Sequence, residues 1–142
     1  MAFEAEWEHC SGDWGPCDFR HRTSGLRIQV KQSAALQSWN AGETARINPR
    51  FSIEEKTGRY EDGTTWIAER SRNAELFIFA WHPKTGHDAD HRDPDQWLFH
   101  VVAEAKLPPA KSISLASVSA LAPPVSFSKL LGAVREVSTA IA

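Results

Sequence analysis

Asp18 and, ten residues further on, the tripeptide Gln29-Val30-Lys31 bring a carboxylate, an amide oxygen, a backbone carbonyl and an amine into one short stretch of chain. Hydrolysis of a phosphodiester calls for groups of these kinds. A hard divalent cation held by oxygen ligands neutralises the scissile phosphate and supplies a deprotonated water. A lysine beside it helps to position or deprotonate the attacking water. Arg20, His21, Arg22 and Arg27 surround the same stretch and offer positive charge for phosphates.

Positioning these groups falls to a predicted β-hairpin. Residues Cys17 to Arg22 alternate in polarity, Thr23-Ser24-Gly25 supplies a turn, and Leu26 to Lys31 alternate again. Side chains in a strand alternate between faces, so Leu26, Ile28 and Val30 share one face and Arg27, Gln29 and Lys31 the other. A slip of one residue would reverse the faces, so convergence of Asp18 with Lys31 requires a bulge, expected at the Gly25 turn.

Further strands are predicted at Arg50 to Glu54, Glu75 to Trp81 and Gln96 to Ala103, where aromatic and β-branched residues are dense. The unbroken apolar run Leu76 to Trp81 suits a strand buried on both faces, at the middle of the sheet. Ser33 to Trp39 reads as a short helical or irregular segment, and Ile113 to Leu115 as a short strand or turn. Beyond Pro123-Pro124, Ser126 can cap a helix whose Phe127, Leu130, Leu131, Val134, Val137 and Ile141 form one stripe. Strands that mostly precede a terminal helix indicate an α/β or α+β domain, with a mixed central sheet and flanking helices.

Other residues compete for a functional role. His87, Asp88, Asp90, His91 and Asp93 place metal-type donors within one loop between Pro83 and Pro94, which is read as a solvated polar loop. Glu54-Glu55-Lys56 is a second acid-x-lysine tripeptide, but no aspartate precedes it closely. Of the six tryptophans, Trp81 and Trp97 are assigned to the core, and Trp39 and Trp66 to possible ligand contact. Cys10 and Cys17 match neither a zinc knuckle nor a redox pair.

The 142 residues suffice for a single domain, residues 1–142, with its own core. A formal charge of −2 argues against a protein that coats nucleic acid by bulk electrostatics, yet leaves room for a nuclease with a local basic rim. No apolar run is long enough to cross a bilayer and no signal segment is evident, so the expectation is a cytoplasmic chain without a membrane partner.

From Asp18 to about Leu121 the chain resembles the PD-(D/E)xK nuclease superfamily, whose motif is an aspartate on one strand and (D/E)-x-K on the next. Gln29 stands in place of the second acid, a Q-x-K form similar to Mrr-like domains. The resemblance implies a restriction endonuclease-like fold, shortened at its N-terminus. It also implies Asp18 as bridging metal ligand, Gln29 as second ligand, Val30 as ligand through its carbonyl and Lys31 as catalytic lysine. Magnesium or manganese would be the cofactor and DNA the partner, with Gln37, Arg20, Arg22 and Arg27 touching substrate. Loss of one formal charge at Gln29 weakens metal binding. The alternative is a catalytically degenerate nuclease-fold module that binds nucleic acid or a protein partner. A homodimer would cover whatever the short N-terminal region leaves exposed.

Overall fold

The structure, a computed structural model, describes residues 5–9, 18–35, 49–55, 59–61, 65–67, 72 and 74–141. Its main sheet is built from β1 (Trp7–His9), β2 (Phe19–His21), β3 (Arg27–Ala34), β7 (Leu76–His82) and β8 (Leu98–Ala103), in that spatial order. Between β3 and β7 in the chain lie β4 (Arg50–Ser52), β5 (Arg59–Glu61) and β6 (Thr65–Ile67). After β8 come β9 (Ser112–Ser114) and the helices α1 (Leu115–Leu121) and α2 (Phe127–Ile141). β4 pairs with β9, and β5 with β6, as separate two-stranded sheets. The architecture is therefore mixed α and β, as its order of hydrophobic segments predicts.

The first three strands of the sheet run antiparallel, β3 and β7 run parallel, and β7 and β8 are again antiparallel. β7 is interior, but the middle of the five strands is β3. The apolar run of β7 follows from two separate cores. Leu76 and Ile78 join Trp7, Ile28, Val101 and Val134 of α2 on one face. Phe77 and Phe79 join Phe51, Ile53, Ala74, Val102, Leu107, Ile113 and Val118 on the other. A strand serving two cores has no solvent face to fill with polar residues.

α2 begins where its sequence predicts, but its contact stripe is narrower. Leu130, Ala133, Val134 and Val137 reach the core, whereas Phe127 and Ile141 at its two ends are 38% and 37% exposed. α1 has no counterpart among the predicted elements. It starts at Ser114, whose side chain accepts the Ser117 backbone N–H at 3.2 Å, and buries only Val118. β3 continues through Ser33 and Ala34, where a helical or irregular segment is expected. Trp97 precedes β8 instead of lying inside it.

Arg72 fastens the second core. Its Nε donates to the Ile53 carbonyl at 2.6 Å, while its Nη atoms reach Glu104 at 2.9 Å and the Pro108 carbonyl at 2.5 Å. Among the described residues no helix is long and apolar enough to cross a membrane.

Candidate functional site

The β2–β3 hairpin turns through Arg22 to Gly25. The His21 N–H donates to the Leu26 carbonyl at 2.7 Å and the Gly25 N–H to the His21 carbonyl at 3.1 Å. Gly25 sits at φ 78°, the left-handed region where a side chain is disfavoured and glycine is not. From this turn the register runs evenly, Arg20 opposite Arg27 and Phe19 opposite Ile28. The irregularity comes at the other end, because the Asp18 N–H also donates to the Ile28 carbonyl, at 2.9 Å. Residues 18 and 19 thus both address Ile28, and the bulge-like step lies at Asp18, not at Gly25.

That step brings the Asp18 side chain back onto β3. Its Oδ2 accepts the Val30 backbone N–H at 2.7 Å, a bond that a continuing β2 would have given to a main-chain carbonyl. Backbone groups along a strand alternate between its two neighbours. Ile28 and Val30 turn theirs toward β2, while the Arg27 carbonyl accepts from the Glu75 N–H at 3.0 Å on the β7 side. The Val30 carbonyl therefore points to the same edge as the Asp18 carboxylate.

Gln29 and Lys31 lie in register with Phe77 and Phe79, so their side chains share the face of the second core. Both are half-buried. Gln29 Oε1 is buried and accepts no hydrogen bond from any described residue. Such an orphaned oxygen costs about 1–3 kcal/mol relative to a satisfied one, and it belongs to the residue that precedes Val30, whose N–H binds Asp18.

The hairpin arginines differ from one another. Arg27 is bound to Glu75: its Nη2 lies 2.5 Å from Oε2, its Nε 3.2 Å from both oxygens, and its backbone N–H 2.8 Å from Oε1. Burial acts to raise the Glu75 pKa, but the hydrogen bonds and charge of Arg27 together outweigh it and hold the carboxyl below its ordinary range. Arg22 meets Glu8 at 3.3 Å. Arg20 is exposed and forms no ion pair among the described residues. Gln37 lies outside the described residues, as do Trp39, Cys10, Cys17 and Lys56.

The loop from Pro83 to Trp97 is exposed along most of its length, but it is internally bonded. The Gln96 side chain is its hub: Oε1 accepts the Asp90 N–H at 2.7 Å and Nε2 donates to the Asp88 carbonyl at 2.8 Å. His82, fully buried at the end of β7, faces the same Gln96 oxygen through Nε2 at 2.9 Å. Since that partner accepts, Nε2 carries the ring proton. Asp90 is held below its ordinary pKa by hydrogen bonds from the backbone and side chain of Arg92. Asp88 pairs with Lys84 at 3.3 Å. Among the described residues no three His, Cys, Asp or Glu side chains are grouped as a metal site, in this loop or elsewhere. Trp81 and Trp97 are half-buried, Trp97 donating its indole N–H to the His91 carbonyl at 3.0 Å.

Sequence reasoning missed Glu75, Gln96 and His82. Glu75 carries one readable signal, an acid immediately before a long apolar strand. Gln96 and His82 become connected only when the loop closes.

The donor kinds at the hairpin fit a magnesium-type cation: a carboxylate with one oxygen hydrogen-bonded, a carbonyl on the same edge, and a buried amide oxygen without a donor. They carry one formal negative charge between them, which would keep the affinity for such a cation low. Comparison with protein-family models, with curated proteins and with solved structures returns no match for this chain.

Proposed function

We propose that this chain is a metal-dependent phosphodiesterase of the DNA endonuclease-like kind, working at Asp18, Gln29, Val30 and Lys31. The observation that carries the reading is the 2.7 Å bond from the Val30 N–H to Asp18 Oδ2. It ties the carboxylate to the central residue of the Gln29-Val30-Lys31 tripeptide and fixes the two halves of the motif against each other.

Asp18, the Gln29 amide oxygen and the Val30 carbonyl would hold magnesium or manganese. When bound, that cation supplies charge neutralisation at the phosphate and a water of lowered pKa. The protein's own part is placement. The strand pairing keeps Gln29 and Lys31 on one face two residues apart, and the apolar wall of Phe77 and Phe79 limits the water around them. The Lys31 amine would orient the attacking water by hydrogen bonding and offset charge developing on the phosphate. On this reading the chain works in the cytoplasm, and a homodimer is its assembled form.

One observation favours a second reading. The donor set holds a single carboxylate, which suits a degenerate module that binds nucleic acid or a protein partner without cutting. Purified protein incubated with plasmid DNA and magnesium or manganese, beside Lys31→Ala and Asp18→Ala variants, separates the two. Cleavage lost in both variants supports hydrolysis at this site. Cleavage that survives both removes the assignment, and no cleavage together with no calorimetric metal binding favours the degenerate module.

A further inference from the structure

The hairpin places two arginines directly opposite each other, Arg20 and Arg27, in neighbouring strands. Like charges in that relation destabilise a sheet. Arg27 is compensated, because Glu75 holds its guanidinium. Arg20 is not. The acid nearest in register is Glu8, opposite Arg20 on β1, but the Glu8 carboxylate bonds to Arg22 at 3.3 Å. Arg20 is exposed, takes part in no ion pair among the described residues and contributes nothing to either core. A position that departs from local pairing rules without structural return is where a functional role belongs.

Its placement says what that role is. Register puts Arg20 beside Arg27, on the face that also carries Gln29 and Lys31. Arg27 precedes Gln29 by two residues, about 7 Å along a strand. That offset is comparable with the spacing of adjacent phosphates in a nucleic-acid strand. We propose that Arg20 binds the backbone phosphate next to the one held at Asp18 and Lys31, with Arg27 and Glu75 as the rigid, neutral base beneath it. The assignment rests on the phosphodiesterase reading for which phosphate is cut. It makes the substrate a polynucleotide strand instead of a small phosphodiester. An arginine fork suits a phosphate's oxygens, and a guanidinium without an acid partner among the described residues has no ion pair there to break before binding.

The test uses the full chain, a labelled single-stranded DNA oligonucleotide and calcium to hold the strand uncut. Binding is titrated over a range of salt for the unsubstituted protein, Arg20→Ala and, as control, Arg92→Ala in the distant exposed loop. Removing one phosphate contact from a single strand makes the slope of log affinity against log salt shallower by about 0.7. We expect that change for Arg20→Ala and none for Arg92→Ala, with the Arg20→Ala melting temperature no lower than that of the parent. A slope unchanged in Arg20→Ala, in a protein that cleaves and needs Asp18 and Lys31 to do so, overturns the role of Arg20 and leaves the phosphodiesterase intact. A slope change in a protein that never cleaves keeps Arg20 as a phosphate contact and removes hydrolysis. A parent protein that neither binds nor cuts the strand overturns both.

Discussion

Replacing Gln29 by glutamate changes charge with almost no change of shape, and the surroundings of Gln29 fix the sign of the effect. Oε1 is buried and meets no donor among the described residues, and the Asp18 carboxylate is anchored one residue away on the Val30 N–H. A carboxyl introduced there loses its water, and that burial raises its pKa above the ordinary value near 4.3. A group whose folded pKa is raised in this way costs nothing below its unfolded pKa. The full penalty is present above the folded one. A shift of about two units corresponds to about 2.7 kcal/mol. In chelator, Gln29→Glu should therefore match the parent at pH 4 and fall about 2–3 kcal/mol below it at pH 8. A divalent cation reverses this, since a ligand present at about 100 times its dissociation constant stabilises the fold by about 2.7 kcal/mol. Urea denaturation at the two pH values, with chelator and with millimolar magnesium, reads both effects. Equal stability of variant and parent at pH 8 in chelator, with no gain on adding magnesium, would refute the reasoning.

Other expectations follow from single contacts. Arg72→Met should cost about 3 kcal/mol in chemical denaturation, since it strips donors from two carbonyls and from Glu104 around a side chain only 7% exposed. Because Glu75 is held below its ordinary pKa, its stabilisation is present above the unfolded value and is lost as pH falls through the folded one. The gap between parent and Glu75→Gln, about 1 kcal/mol at pH 7 for a pair that is partly exposed, should thus close in acid. Gln96→Ala should release the loop around His82 and raise hydrogen exchange at the Asp90 amide, while the melting of the sheet falls by a few degrees at most.

What the sequence disclosed follows from the range of the forces involved. The hairpin was legible because alternation and Gly25 act over a few residues. So was β7, because a strand buried on two faces has to be apolar throughout. α2 could be read from its 3.6-residue period, but its end residues turn out exposed, since a straight helix leaves a narrower footprint on a sheet than its apolar stripe suggests. α1 was hidden by its serines, which favour caps and turns over helix interiors. At the site, the shared face of Gln29 and Lys31 was visible as a period of two. The bulge, which the sequence places at the Gly25 turn, lies at the opposite end of the hairpin because its cause is a side chain, that of Asp18, taking over a backbone bond. The capture of Arg27 by Glu75 could not be read, since nothing local joins residues 48 apart in sequence.

The parallel pairing of β3 with β7 has a consequence for how the protein comes to be folded. Antiparallel strands can form as soon as a turn closes, on a microsecond scale. A parallel neighbour must instead return from far along the chain, and here Gln29 waits for Phe77 and Lys31 for Phe79. During synthesis the hairpin bearing Asp18 emerges early, without the aromatic neighbours that stand beside Gln29 and Lys31. High contact order of this kind slows folding, so assembly of the motif should be among the last events, and any fragment ending before Leu76 would carry every motif residue yet none of the wall that Phe77 and Phe79 place beside Gln29 and Lys31.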